Sequence, residues 1–128
     1  MPMRERRIHR RAVYQSYLAS RAWRDRRRAW YAAWLTSAGT PPSCLVCERK
    51  WSPKTGHLHH LTYVRIGNEE DTDLVALCAR DHRRLHDVLE KSQSWRRLGR
   101  AQASLGVVAM LQRRGLRQLD SQAQVSVS

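Results

Sequence analysis

A chain of 128 residues supplies at most the core of one domain, and burial alone stabilises a core of that size only marginally, so a metal staple would help it. The chain carries 24 Lys and Arg against 11 Asp and Glu, a formal net charge of +13, most of it from arginine. Such a surface suits polyanions, and the planar guanidinium fork suits phosphate in particular. No apolar run approaches the roughly 20 residues needed to cross a bilayer, and the arginines near the N-terminus have no apolar stretch behind them to make a secretory signal. No membrane partner and a cytoplasmic location are therefore expected. Cys44, Cys47 and Cys78 cannot all pair within the chain, which favours metal binding over a disulfide framework.

Charge divides the chain into three. Residues 1–43 hold ten arginines and two acids, residues 44–87 hold seven basic and seven acidic residues, and residues 88–128 carry a net +5. All three cysteines and five of the six histidines lie in the neutral middle, which places the metal chemistry there and the nucleic-acid grip outside it.

Residues 1–43 read as a basic helical arm. Arg4 to about Leu35 predicts two helices with Ser20 as the N-cap between them, and Trp23, Trp30 and Trp34 recur at roughly helical spacing, as core-packing residues do. Arg24, Arg27 and Arg28 in the same stretch are the candidate phosphate contacts, and His9 reads as ordinary surface. Gly39, Pro41 and Pro42 stop the helix ahead of Cys44. In residues 44–92, Ser52, Pro53 and Gly56 mark a turn, a strand is expected around Leu58 and Leu61, and Leu74–Leu77 predicts a second. Ala79 to about Lys91 predicts a helix with Leu85, Val88 and Leu89 inward. Trp51, Tyr63 and Trp95 are expected to pack at edges of the core. Leu98, Ala101, Leu105, Val108 and Leu111 form one apolar stripe of a C-terminal helix over residues 93–116, with Gly115 as its stop and residues 117–128 as a disordered tail.

His82 and His86, four apart on the predicted helix, share a face and could hold one ion. His59 and His60 end a predicted strand, where neighbours point to opposite faces, so one can bind metal while the other stays free. Hydrolysis needs that division, because a histidine committed to the metal could not take a proton from water. Cys44 and Cys47 form a C-x2-C knuckle and Cys78 begins the helix, which suits a structural zinc lacking one ligand. Asp81 and His57 are the two candidates for the fourth place. Because successive helical residues differ by about 100°, Asp81 and His82 could face two different ions.

The run His59-His60-Leu61-Thr62-Tyr63, then Gly67-Asn68-Glu69, then Asp73-Leu74-Val75-Ala76-Leu77-Cys78, then His82 and His86, resembles the motif of the HNH endonucleases. The resemblance covers about residues 44–86, and Tyr17, Leu18 and Ser20 to Trp23 look like the helix that precedes the knuckle in relatives. It implies an α+β fold with a small ββα-metal core and zinc knuckle over residues 44–92, flanked by N-terminal and C-terminal helices. It further implies His60 as general base, His59, His82 and His86 as ligands of a catalytic ion (Mg, Mn, Ni or Zn), and Cys44, Cys47, Cys78 and Asp81 as ligands of a structural zinc. Asp73 stands where the family has its central asparagine. It can accept the loop hydrogen bonds but cannot donate through an amide, and orienting His60 or touching the metal are its alternative roles. Asp81 stands where relatives have a cysteine.

The expected activity is metal-dependent hydrolysis of phosphodiester bonds in DNA, most simply double-stranded. The alternative is a non-catalytic zinc module that binds DNA on the same scaffold. A free base beside a full histidine set favours the enzyme, and Asp73 keeps the alternative open. Relatives of this motif serve in phage packaging, mobile elements, restriction and bacterial toxins, and a phage or mobile-element setting is the expected one here; one site cuts one strand, so double-strand cleavage would call for two protomers, as in a homodimer, or for successive nicks.

Overall fold

The computed structural model describes the backbone of residues 3–127 and the side chains of residues 10–122; the side chain of His9 lies outside that range. Five α-helices and one two-stranded sheet make up a small α+β fold among these residues: α1 (Met3–Leu18), α2 (Arg21–Ala38), β1 (His57–His60), β2 (Leu74–Leu77), α3 (Ala79–Lys91), α4 (Gln93–Arg96) and α5 (Arg100–Val127). No helix among the described residues is long and apolar enough to cross a membrane.

Local chemistry sets the helix ends. Ser20 caps α2, its hydroxyl accepting from the Trp23 amide at 3.2 Å, so one exposed N–H is satisfied and α1 breaks from α2. Gly39 ends α2 in the left-handed region at φ 74°, where its amide reaches back to the Leu35 carbonyl. Cys78 occupies the N-cap position of α3, where its sulfur accepts from the Asp81 amide.

The two strands pair antiparallel, with His57 opposite Leu77, Leu58 opposite Ala76, His59 opposite Val75 and His60 opposite Leu74. Alternation then divides their side chains between two faces. Leu58, Leu74 and Ala76 pack with Trp23, Trp30 and Trp51 against α2. Leu77 instead joins Cys44, Leu85, Leu89, Ala103, Val107 and Leu111 between α3 and α5. The knuckle docks on the sheet through the Leu45 amide, which donates to the Ala76 carbonyl at 2.9 Å, and this brings Cys44 towards Cys78. Trp51 lies so close over Gly56 that a β-carbon there would come within 2.2 Å of its indole nitrogen, so only glycine fits.

Three expectations are corrected here. Helix α5 starts at Arg100 and continues past Gly115 to Val127, so residues 117–127 are helical rather than a disordered tail; one exposed glycine weakens a helix by only about 1 kcal/mol. Its buried stripe is Ala103, Ser104, Val107, Val108 and Leu111, whereas Leu98 and Leu105 are 51% and 47% exposed. The small residues win that face because the helix must come close, and Gly106 leaves room only for the Trp95 ring. Finally, Trp34 is 42% exposed and touches only the edge of the core through Trp30.

Candidate metal centre

Helix α3 carries donors for two groups. Asp81 turns its carboxylate to Cys44, Cys47 and Cys78, while His82 and His86, on the neighbouring face, meet His59 from β1; within each group the ligand atoms lie within 4.8 Å of one another. The protein therefore holds one cluster of three thiols and a carboxylate and another of three imidazoles, either of which could bind a metal such as zinc.

In the thiol cluster Asp81 Oδ2 lies 3.3 Å from Cys44 Sγ and 3.2 Å from Cys78 Sγ, and Cys47 and Cys78 have their sulfurs 3.9 Å apart. Tetrahedral zinc with bonds of about 2.3 Å to sulfur and 2.0–2.2 Å to oxygen needs donor separations of roughly 3.6–3.8 Å, so these atoms suit one ion. The other carboxylate oxygen is held by Arg84 at 3.1 Å and Arg80 at 3.4 Å. Burial pushes the Cys44 thiol up to about 12 and raises Cys78 as well. Burial alone would also raise Asp81, but hydrogen bonds from the thiols and the charge of Arg80 outweigh it and keep the carboxylate ionised. Asp81 thus occupies the fourth place, and His57 does not. Glu48, next to the knuckle, takes the left-handed conformation at φ 62° that the tight turn requires.

In the imidazole cluster His82 Nε2 lies 3.0 Å from His86 Nε2 and 3.3 Å from His59 Nδ1. Metal–nitrogen bonds of about 2.0–2.1 Å at tetrahedral angles put nitrogens roughly 3.3 Å apart, so three imidazoles aimed at one point fit a shared ion. The outward nitrogens are also engaged. Ser104 Oγ, buried on α5, sits 2.9 Å from His59 Nε2, and His57 Nδ1 sits 2.9 Å from His82 Nδ1. With Nδ1 of His59 and Nε2 of His82 facing the ion, the protonated nitrogens point at these partners, which fix ring tautomer and orientation. Burial, then the positive charge of Arg100 for His59 and the repulsion that a second protonated ring at His86 would bring for His82, lowers His59 to about 2 and His82 to about 3; His86 and His57 are also lowered, mainly by burial. All are neutral near pH 7, the state a metal ligand requires.

His60 faces the opposite side of β1 from His59. Its ring stacks on Trp23 at 4.8 Å, meets Tyr14 edge-on at 5.8 Å and sends Nε2 to Glu69 Oε2 at 2.7 Å. Glu69 in turn accepts from the Tyr17 hydroxyl at 2.8 Å. Burial would raise Glu69, but the hydrogen bonds from His60, its own backbone and Tyr17 hold it below the usual carboxylate range. Burial lowers His60 more than Glu69 raises it, so the imidazole is neutral, and its Nδ1 has no hydrogen-bond partner among the described residues.

Asp73 neither orients His60 nor joins either donor group. It pairs with Arg65 through both oxygens, at 2.8 Å to Nε and 2.5 Å to Nη2, and accepts from the Glu70 amide at 3.0 Å. Of its expected roles the loop-holding one fits, because an ionised aspartate attracts the nearest arginine and an imidazole already paired with Glu69 has no need of it. Among the arginines, Arg27 is spent inside the protein, donating to the carbonyls of Pro53, at 2.9 Å, and Gly56. Arg24 and Arg28 remain exposed, and Arg24 lines a cavity of about 340 Å³ beside His57 and His82. Glu69 and Tyr17 stand in the stretches that carry the family resemblance but were given no role there, and Ser104 and Arg100 escaped the sequence reading. Ser104 left a signal, as a polar residue among small apolar ones on an amphipathic helix.

Compared with known proteins, no family model matches the chain, no curated protein matches it, and no solved structure matches it.

Proposed function

We propose that the protein is a metal-dependent endonuclease of the HNH kind that hydrolyses phosphodiester bonds in DNA. The carrying observation is the division of labour at the end of β1: His59 converges with His82 and His86, while His60, one residue on, faces away from them and is paired with a carboxylate. The order β1, β2, α3, with His59 and His60 on the first strand and His82 and His86 on the helix, supports this reading, because the motif implies the same order.

His59, His82 and His86 would hold the ion, with Ser104 and His57 orienting their rings. A bound divalent ion would neutralise charge building on the phosphate and the departing oxygen. His60 accepts the proton of the attacking water at Nδ1 as the new P–O bond forms and the bond to the leaving oxygen breaks. Glu69, on the other ring nitrogen, steadies the imidazolium and lets the ring keep one tautomer. Imidazole donors suit Zn, Ni or Mn better than Mg, which prefers oxygen. Cys44, Cys47, Cys78 and Asp81 suit a structural zinc beneath this site, and the arginines of the N-terminal arm suit the DNA backbone.

A second function is favoured by one observation. His60 is only 1% exposed, covered by Trp23 of α2 and Tyr14 of α1, as suits a module that binds DNA without cutting it. Plasmid nicking in Mg²⁺, Mn²⁺, Ni²⁺ and Zn²⁺, with an EDTA control, separates the two. EDTA-sensitive nicking supports the enzyme, and DNA binding without nicking in any of these metals leaves the binding module.

A further inference from the structure

Arg100, the first residue of α5, lies at the histidine cluster, and neither the ligand set nor the His60–Glu69 pair explains its arrangement. Its Nε donates to the His60 carbonyl at 2.8 Å, and its guanidinium lies over the Tyr63 ring at 4.0 Å. These two contacts fix the plane of the fork. Its Nη2 is buried and has no hydrogen-bond partner among the described residues, and no carboxylate there pairs with Arg100. A buried guanidinium nitrogen left without an acceptor is costly, and a bound ion or a catalytic role is among the reasons for which natural proteins keep such groups.

The surroundings say what kind of ligand. Arg100 lines a cavity of about 680 Å³ together with His86, Tyr14, Tyr63, Arg11 and Arg96, with Glu90 as its only acid. Three neutral imidazoles bring no negative charge to offset a divalent ion, so an ion there together with Arg100 makes the centre strongly cationic. An anion with two or more acceptor oxygens would satisfy both.

We propose that Arg100 is the phosphate anchor of this centre, its guanidinium donating to a non-bridging oxygen of a nucleic-acid phosphodiester seated in the cavity that it lines beside His86. The proposal rests on the nuclease function above, because it assigns that site its contact to the substrate phosphate. Arginine suits the task better than lysine: with Nε on the His60 carbonyl and the ring face on Tyr63, the plane that carries Nη1 and Nη2 is fixed in advance, whereas an ammonium on a flexible stem would have to be ordered on binding.

The test uses the full-length zinc-loaded chain with inorganic phosphate and dimethyl phosphate as probes. In the unaltered protein the Arg100 Nε–H resonance, assigned by its absence from Arg100→Lys, should shift saturably with either probe. Arg100→Gln should retain both zinc content and fold while binding dimethyl phosphate about tenfold or more weakly, the loss expected for one charge-assisted hydrogen bond. An unmoved Arg100 resonance in the unaltered protein overturns the proposal whether or not the variant folds. So does unchanged probe binding by a folded Arg100→Gln. Arg100-dependent binding of the probes by a protein that fails to nick DNA in Mg²⁺, Mn²⁺, Ni²⁺ or Zn²⁺ would keep the anchor and end the nuclease reading. Nicking that survives Arg100→Gln with kcat and KM unaltered, alongside a still resonance, would do the reverse.

Discussion

The two donor clusters share helix α3 and differ in closure. At its start, Cys44, Cys47, Cys78 and Asp81 provide four donors, with Cys44 and Asp81 buried; one turn on, His59, His82 and His86 provide three. Four protein donors complete a tetrahedron and leave no place for a substrate, while three leave one position open. The closed cluster ties a loop to the core, and its supporting groups, Arg80 and Arg84, only steady the carboxylate. The open cluster is surrounded by groups beyond the needs of structure: Ser104 and His57 on its ligands, and His60 with its own carboxylate next door. A helix whose adjacent residues Asp81 and His82 join different donor groups thus separates a closed group from an open one by a rotation of about 100°.

The largest effect should come from opening the closed cluster. Cys44→Ser is expected to destabilise the zinc-loaded protein by more than about 3 kcal/mol, because in so small a domain metal binding is folding free energy. Thermal unfolding with and without chelator checks this, and a melting temperature like that of the parent would show that the cluster holds no structural metal.

At the open cluster, His60→Ala should keep fold and metal content yet reduce nicking about 10²–10⁴-fold, the usual worth of a general base. His82→Ala should lose the ion along with the rate. If His60→Ala keeps a third of the parental rate under saturating metal, the base lies elsewhere.

Ser104→Ala sharpens the contrast further, since it touches one cluster only. Metal affinity of the histidine site should fall about 10–100-fold while the thiol site titrates as before, in competition assays with a chromophoric chelator.

The basic arm offers a smaller effect. Arg24→Gln with Arg28→Gln should reduce the slope of log affinity against log salt by about 1.8 if each contacts one phosphate of duplex DNA. Arg27→Gln should instead lower stability with little change of slope, because its guanidinium is held by the Pro53 and Gly56 carbonyls.

Acid should act on the metal-free open cluster as well. His59 and His82 have folded values of about 2 and 3 against an ordinary 6.5, so the unfolded chain takes up protons first as the pH falls. Their contribution is fully present above about 6.5 and is lost progressively from there down to about 3. Urea midpoints of the metal-free protein at pH 7.5, 6 and 5 should fall in that order, less steeply in His82→Ala.

Much of this was legible in the residues alone. Periodicity and caps located α2, β2 and α3, because Ser20, the Leu74–Leu77 run and the Ala79–Lys91 pattern are local signals. Alternation along a strand separated His59 from His60, and helical spacing joined His82 to His86, since both follow from backbone geometry. Which fourth ligand meets the thiols was not decided until the knuckle docked on β2 and left His57 beside His82. Glu69 stands nine residues from His60 in an acidic stretch with no periodicity, and only the loop path, clamped by the Arg65–Asp73 pair, brings it to the ring. Ser104 lies 45 residues from the His59 ring it meets, and Arg100 lies 40 from the His60 carbonyl it holds. Their place depends on which face α5 buries, and close packing against α3 chose the small residues over the larger leucines.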